Sequence, residues 1–464
     1  MKELTFVHLL GAGCVLLLIM GLGIYSGKKV RNVSDFDVGL RDAGPHMVSG
    51  TILGTLVGGS ATIGVAQLAF NYGLSAWFFT LGSALGCLLL VFHTVPARRS
   101  GCNSIQEVIL REFGSSAGIV TSVLASLGLV FNIVSQLLAA QALLSTVFQF
   151  GPWLCAAVTA VLSLCYVVFG GVNSTGLLGI VKMTLLYAGT LTCGTLAVRM
   201  AGGIEGIYRA LPHEQYFNLF VRGFNTDVGN GLAVALGVLS TQTYFQAILS
   251  GKSDRATRQA VLSSTCLILP IGLFSTCVGY YMRIRFPGLD GQHAFPRFAL
   301  QYLPSFGSGI VLATLLLAIV GTIAGNLLGL STILVNNLYH ILIDRQADGR
   351  KLLLISRILI VSILIFTAVA AVANAQSGIL TWSVLSMGLR AVVTLAPFYA
   401  ALFFSGRVHR GFAVASSILG MVALIVAHFS TLHVDALFPG LGVSIFVIFL
   451  GYCRSSGPTV FRKK

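Results

Sequence analysis

Runs of about twenty apolar residues follow one another along nearly the whole chain, and that length is what crosses roughly 30 Å of hydrocarbon as a helix. Thirteen can be marked off, near 5–27, 46–70, 74–96, 115–146, 151–169, 174–200, 226–250, 260–283, 308–341, 353–374, 378–404, 411–431 and 436–452. In lipid a backbone must satisfy its own hydrogen bonds, so such runs predict an all-α polytopic membrane protein. Only 9% of the residues are charged and 56% are hydrophobic, which fits a chain whose solvent is the bilayer. The net charge of +15 does not point to nucleic acid, because the basic residues fall in short clusters between apolar runs. Nine cysteines lie mostly inside the runs with no CxxC pair, so neither a disulfide framework nor a metal centre is expected.

The clusters set an orientation. With the amino terminus outside, twenty Lys and Arg residues fall in inward loops and the tail, and seven fall outside. The first run is longer than a signal-peptide core, lacks an A-x-A site, and ends in YSGKK, so it reads as a retained helix. The expected setting is a bacterial inner membrane, with the amino terminus outside and the carboxyl terminus cytoplasmic. About a dozen residues follow the last run, too few for a soluble output domain.

All fourteen carboxylates lie at or beyond span ends. An intramembrane hydrolase or a carboxylate-relay pump needs such a group at depth, so an enzyme is not expected. Two cations do lie within runs: Lys182 in GLLGIVKMTLLYAG and Arg390 in SVLSMGLRAVVTLAPF. A charge at a helix centre costs ~3 kcal/mol or more, so each needs a cavity or a partner. For Lys182 the competing account is snorkelling to the inner surface; for Arg390 it is a structural contact between helices. Two runs are also interrupted by small and polar residues, GTLVGGSATIG at 54–64 and GNGLAVALGVLSTQTYFQ at 229–246. Unwound turns of this kind free backbone groups for solute and ions in transporters, and close helix packing is the alternative.

Several motifs share an order and spacing with one family: VSDFDVGLRDAG, SATIGVAQLAFNYGLSAW, REFGSSAG, FGGVNSTGLL, TQTYFQAILSGKSDRA and LLGLSTILVNNLY. By these the chain resembles the sodium/solute symporter family, an atypical member with the LeuT-type fold of two inverted five-helix repeats. The resemblance implies a leading helix and inner loop at 1–45, repeats at 46–225 and 226–410, and two trailing helices with a tail at 411–464. It also implies a sodium site built from the carbonyls of Leu56, Gly59 and Ala318 and from hydroxyls at positions 321 and 322.

Here Thr322 keeps its hydroxyl, but Gly321 replaces the family's serine. The second-site serines correspond to Ala324 and Gly325, and the family's acid before the tyrosine of the eighth core helix is Asn337. On the fifth core helix the W-T-D-x-x-Q pattern becomes Leu177, Leu178, Gly179, Ile180, Val181 and Lys182, so an acid is lost and a cation gained. An ammonium about 4 Å from a sodium ion would repel it by ~4 kcal/mol at an effective dielectric near 20. The expectation is that Lys182 stands in for sodium and donates to Leu56, Gly59 and Thr322. A lysine that moves between dry and wet settings can carry a proton, whereas one that keeps its proton is a fixed strut. Both remain open.

The expected solute lining is Ser60, Thr62 and Gln67 from the first core helix, Gln136 from the third, Thr241, Gln242 and Tyr244 from the sixth, and Arg390 from the tenth. The planar donor fork of Arg390 suits a carboxylate, which favours a small organic acid or an amino acid. Sugars and polyols remain open. The alternatives are a conventional symporter with sodium at Leu56, Gly59, Ala318 and Thr322, or a channel or sensor, for which no selectivity ring or output domain is seen. No cofactor is expected beyond that sodium; the partners are the bilayer and a small solute, with no nucleic acid.

Overall fold

The computed structural model describes residues 4–27, 42–339, 342–344, 346, 348–430 and 434–454; side chains are not described at 20, 22–27, 168–177 and 336. Most of the VSDFDVGLRDAG motif, the side chains of most of FGGVNSTGLL and the basic tail therefore lie outside the described residues. Among the described residues the architecture is helical throughout, with one isolated bridge between Ala43 and Gly251. Nine helices among the described residues are long and apolar enough to span by themselves, and one bent pair makes a tenth. The segments Phe6–Ile19 and Pro152–Val167 are shorter, so the expected thirteen is not reached by that criterion.

Helix α1 is Phe6–Gly27 and α2 is Pro45–Leu56, which opens on a proline where a missing N–H costs nothing. After α2 the chain turns extended at Val57, passes through a π-helical turn at Ser60–Gly64 and resumes as α3, Val65–Tyr72. Glycine is required at this break. A β-carbon on Gly58 would meet Gln136 Oε1 at 2.5 Å and Thr322 Oγ1 at 2.6 Å, and one on Gly59 would meet Ala139 at 2.3 Å. A reversal at Gly73, with φ +65°, leads into α4, Phe78–Arg99.

The short α5, Ile105–Phe113, is capped by Ser104 and followed by the long α6, Ser115–Phe148. Segment α7, Pro152–Met200, is helical along its length. Yet the Tyr166 hydroxyl and Lys182 Nζ both lie within 3.6 Å of where a Gly321 β-carbon would sit. Residues sixteen apart on a straight helix would be ~24 Å apart, farther than the two side chains can bridge, so the segment bends between them.

The second broken span is α8, Phe224–Leu239, and α9, Gln242–Ser250, bent by 46° where Thr241 is extended. Then come α10, Asp254–Arg285, α11, Ser305–Leu334, α12, Gly349–Ala373, and α13, Ile379–Phe403. Helices α14, Arg410–Phe429, and α15, Leu437–Arg454, complete the chain. Helix α11 is buried over most of its length between α2, α6 and α7, which is why it can carry small and polar residues at depth. Phe366 on α12, Phe429 on α14 and Phe446 on α15 are exposed, as lipid-facing positions should be.

The expected inner face is closed by polar ties. Gln242 accepts from Ile105 N at 3.1 Å and donates to Asn103 O at 3.0 Å. Asn337 donates to Ser104, and Arg98 pairs with Asp254 at 2.8 Å. Glu112 accepts from Ser405 Oγ and from the Gly406 amide.

Candidate functional site

The fully buried Lys182 donates to three oxygens: Gly54 O at 2.5 Å, Ala318 O at 2.8 Å and Thr322 Oγ1 at 3.3 Å. An ammonium has three N–H donors, so this set uses all of them. No carboxylate lies within ion-pair reach among the described residues. Snorkelling does not describe this geometry, since the side chain reaches the middle of α11 and neither of its ends.

The expected Leu56 and Gly59 carbonyls are not among Lys182's partners. Gly54 is the acceptor, because α2 stops at Leu56 and the last carbonyls of a terminating helix lack intrahelical donors. Gly59 O instead accepts from Gly64 N across the π turn.

Two glycines shape the pocket around the ammonium, in opposite ways. At Gly321 a β-carbon would meet Tyr166 Oη at 3.5 Å and Lys182 Nζ at 3.6 Å, which is ordinary contact, so the missing side chain leaves room that Lys182 and Tyr166 flank. At Gly179 a β-carbon would meet Gly50 O at 2.0 Å. Helices α2 and α7 touch backbone to backbone there, in the place of the acid the family pattern carries. Ala318 O and Thr322 Oγ1, two of the oxygens that the family resemblance assigns to a sodium ion, are engaged by the ammonium.

Beyond Thr322 a small central cavity, about 10 Å³ and room for roughly one water, is lined by Ser60, Gln136, Tyr244, Thr322 and Arg390. Arg390 is buried and, among the described residues, donates only to neutral groups: Ser386 O at 3.1 Å, Ser386 Oγ at 3.1 Å, Thr241 Oγ1 at 2.7 Å and Met387 Sδ at 3.0 Å. Gly128 makes space for its stem, since a β-carbon there would lie 2.4 Å from Arg390 Cγ. Gln136 braces the first break, accepting from Gly59 N and donating to Ser60 Oγ, both at 2.8 Å.

The remaining expected residues divide. Thr241 holds Arg390, and Tyr244 lines the cavity. Thr62 is turned back onto Gly58 O at 3.0 Å within the π turn. Gln67 accepts from Ile379 N at 3.1 Å, tying the first broken span to the start of α13, and Gln242 serves the inner tie described above. None of these last three lines the central cavity. Asn132 and Asn326 do line it, hydrogen-bonded to each other at 2.7 Å, as does Ser383, whose buried hydroxyl has no partner among the described residues. Both asparagines were readable as polar side chains within apolar runs.

Two broken helices meeting at depth, with buried cations between them and a helix-lined cavity, define a membrane transporter of the LeuT-type fold. The chain belongs to the sodium:solute symporter family, which it matches over residues 36–420. It is 25% identical to the high-affinity choline transporter 1 of Torpedo marmorata, over 92% of this chain and 78% of that one. It is 22% identical to the high-affinity proline transporter PutP of Bacillus subtilis (strain 168), over 94% of this chain and 96% of that one. A solved structure of a sodium-coupled sialic acid symporter, in a substrate-bound outward-open state, superposes with a TM-score of 0.86 at 15% identity, covering 99% of this chain and 100% of that one. That likeness establishes the fold.

Proposed function

We propose that this protein is a secondary transporter for a small solute bearing a carboxylate, an organic acid or an amino acid, and that Lys182 takes the place of the coupling sodium. The observation that carries the reading is the ammonium of Lys182, held by Gly54, Ala318 and Thr322 with no acid beside it among the described residues. A sodium ion and an ammonium compete for the same oxygens, and like charges at that distance repel by several kcal/mol, ~4 at 4 Å. The carboxylate is argued from Arg390. A buried guanidinium with only hydroxyl, carbonyl and thioether partners lacks a counter-charge among the described residues, and an anionic solute group supplies one.

In this reading the repeats at 46–225 and 226–410 rock about the two breaks. The protein works in a bacterial inner membrane, amino terminus outside and carboxyl terminus cytoplasmic. Lys182 either exchanges a proton between conformations or keeps it as a fixed strut, and the two differ in their response to a pH gradient.

Uptake of radiolabelled organic acids, amino acids and sugars into proteoliposomes, with sodium and proton gradients imposed separately, tests the proposal. Uptake of a carboxylate solute without sodium is the expected result. Strict sodium dependence in the purified protein would overturn the role given to Lys182.

A further inference from the structure

A second cavity, of about 420 Å³, lies at the expected outer end of the molecule, and Phe79 lines both it and the central one. It is walled by the Gly73–Trp77 turn, the start of α8, the first turns of α13 and the residues ahead of α15. A volume of a few hundred Å³ suits a small solute. The central cavity in this state holds no more than a water, so of the two only the outer one has room.

Arg222 and Asp435 both line the outer cavity, and their charges do not cancel once the carboxylate buried behind Arg222 is counted. Arg222 is matched by the fully buried Asp227, with Nη2 to Oδ1 at 2.6 Å and Nε to the same oxygen at 2.8 Å. Ser75 donates to that oxygen as well, at 2.6 Å. Asp435 is left over. Its Oδ1 accepts from Leu437 N at 3.0 Å, but no Lys, Arg or His lies within ion-pair reach of it among the described residues. Burial pushes its carboxyl above the ordinary carboxylate value, against the opposing pull of Arg222 and His428. Phe78 and Trp382 add aromatic surface to the same wall.

A simple organic anion on its way to Arg390 would be repelled by Asp435. A solute carrying both an ammonium and a carboxylate would be attracted at each stage, first by Asp435 and the aromatic faces and then by Arg390. We propose that the outer cavity is a binding station for an ammonium group, with Asp435 as its counter-charge, and that the transported solute is therefore a zwitterion. The second half rests on the carboxylate reading of Arg390; the station itself does not.

The test uses the full chain labelled with 5-fluorotryptophan, whose three tryptophans give three fluorine resonances, that of Trp382 assigned with Trp382→Phe. The protein is titrated with alanine, proline and glycine betaine, and with lactate, acetate and succinate as ammonium-free acids. The Trp382 resonance shifts saturably with at least one zwitterion and with none of the acids. Asp435→Asn raises the midpoint by about tenfold, the loss expected for one charge-assisted contact. Asp435→Glu keeps the wild-type midpoint and shows that the fold tolerates change at this position. Equal midpoints for zwitterions and acids, no saturable shift with any zwitterion, or an unchanged midpoint in Asp435→Asn would each overturn the station. Uptake by Arg390→Ala, measured in parallel, separates the two readings. Unchanged uptake there removes the carboxylate argument, while the Trp382 titration still decides the station.

Discussion

The ammonium of Lys182 donates to the carbonyl of Ala318 at 2.8 Å, joining residues 136 apart in sequence at the middle of the buried helix α11. That carbonyl belongs to a well-formed helix, so it accepts from the lysine with its second lone pair. Gly54, at the end of α2, offers a carbonyl freed by the helix break. The ammonium thus bridges a broken helix and a continuous one.

Replacing Lys182 by alanine removes the bridge and leaves three buried oxygens without their donor. Uptake of the transported solute should fall by at least about tenfold, with the protein still folded in detergent. Proteoliposome uptake alongside size-exclusion profiles checks this, and wild-type transport in Lys182→Ala would reduce the residue to packing.

The two glycines flanking the ammonium should respond in opposite directions. Gly179→Ala drives a β-carbon into Gly50 O and should destabilise the protein by about 1–3 kcal/mol, the usual range for overpacking. Gly321→Ser meets only ordinary contacts and should cost less than about 1 kcal/mol. Thermal melts of both variants in one detergent decide it, and a greater loss in Gly321→Ser would contradict the packing described here. An aspartate at 179 is excluded by the same contact, so Lys182→Gln with Gly321→Ser is the variant in which sodium stimulation of uptake should appear.

Arg390→Ala should raise KM for a carboxylate solute by at least about thirtyfold, the lower end of the cost of removing one partner from a buried charge pair. Arg390→Lys should not restore it, because a point charge cannot reproduce the fork that reaches Thr241 and Ser386 together. Concentration series of uptake give the answer, and an unchanged KM would return Arg390 to a structural contact.

Undocking of α5 can be read from Cys102, which is buried one residue before Asn103. Burial, and then the neighbouring Glu107, push its thiol above the usual value, so little thiolate forms near neutral pH. Gln242→Ala removes the acceptor for Ile105 N and the donor to Asn103 O. Maleimide labelling of Cys102 should then speed up several-fold, and in both proteins it should rise with pH as the thiol ionises. Equal labelling rates would mean that Gln242 does not hold the inner face.

Much of the site was legible because burial of charge in lipid is costly enough to mark single residues. Lys182 and Arg390 stand out in any apolar run, and the glycine-rich stretches at 54–64 and 229–246 are where the chain breaks. Asn132 and Asn326, which line the central cavity, carry the same mark. Gln242 shows the limit of that reasoning. A polar side chain beside a helix break looks like solute lining, but its direction depends on the bend, and here it turns toward α5.

By itself the sequence determined the solvent, the helical class, the positions of the breaks and the two cations that need partners, all of which follow from local hydropathy and spacing. Tertiary structure decided that Lys182 takes Gly54 instead of Leu56 or Gly59, that Gly179 presses on Gly50, and that Arg390 meets only neutral groups. Apart from Arg390's bonds to Ser386 and Met387 on its own helix, these are contacts across more than a hundred residues, set by where helices cross and how closely their backbones approach. A carbonyl two residues along a terminating helix points a different way, and no local pattern records which one faces the lysine.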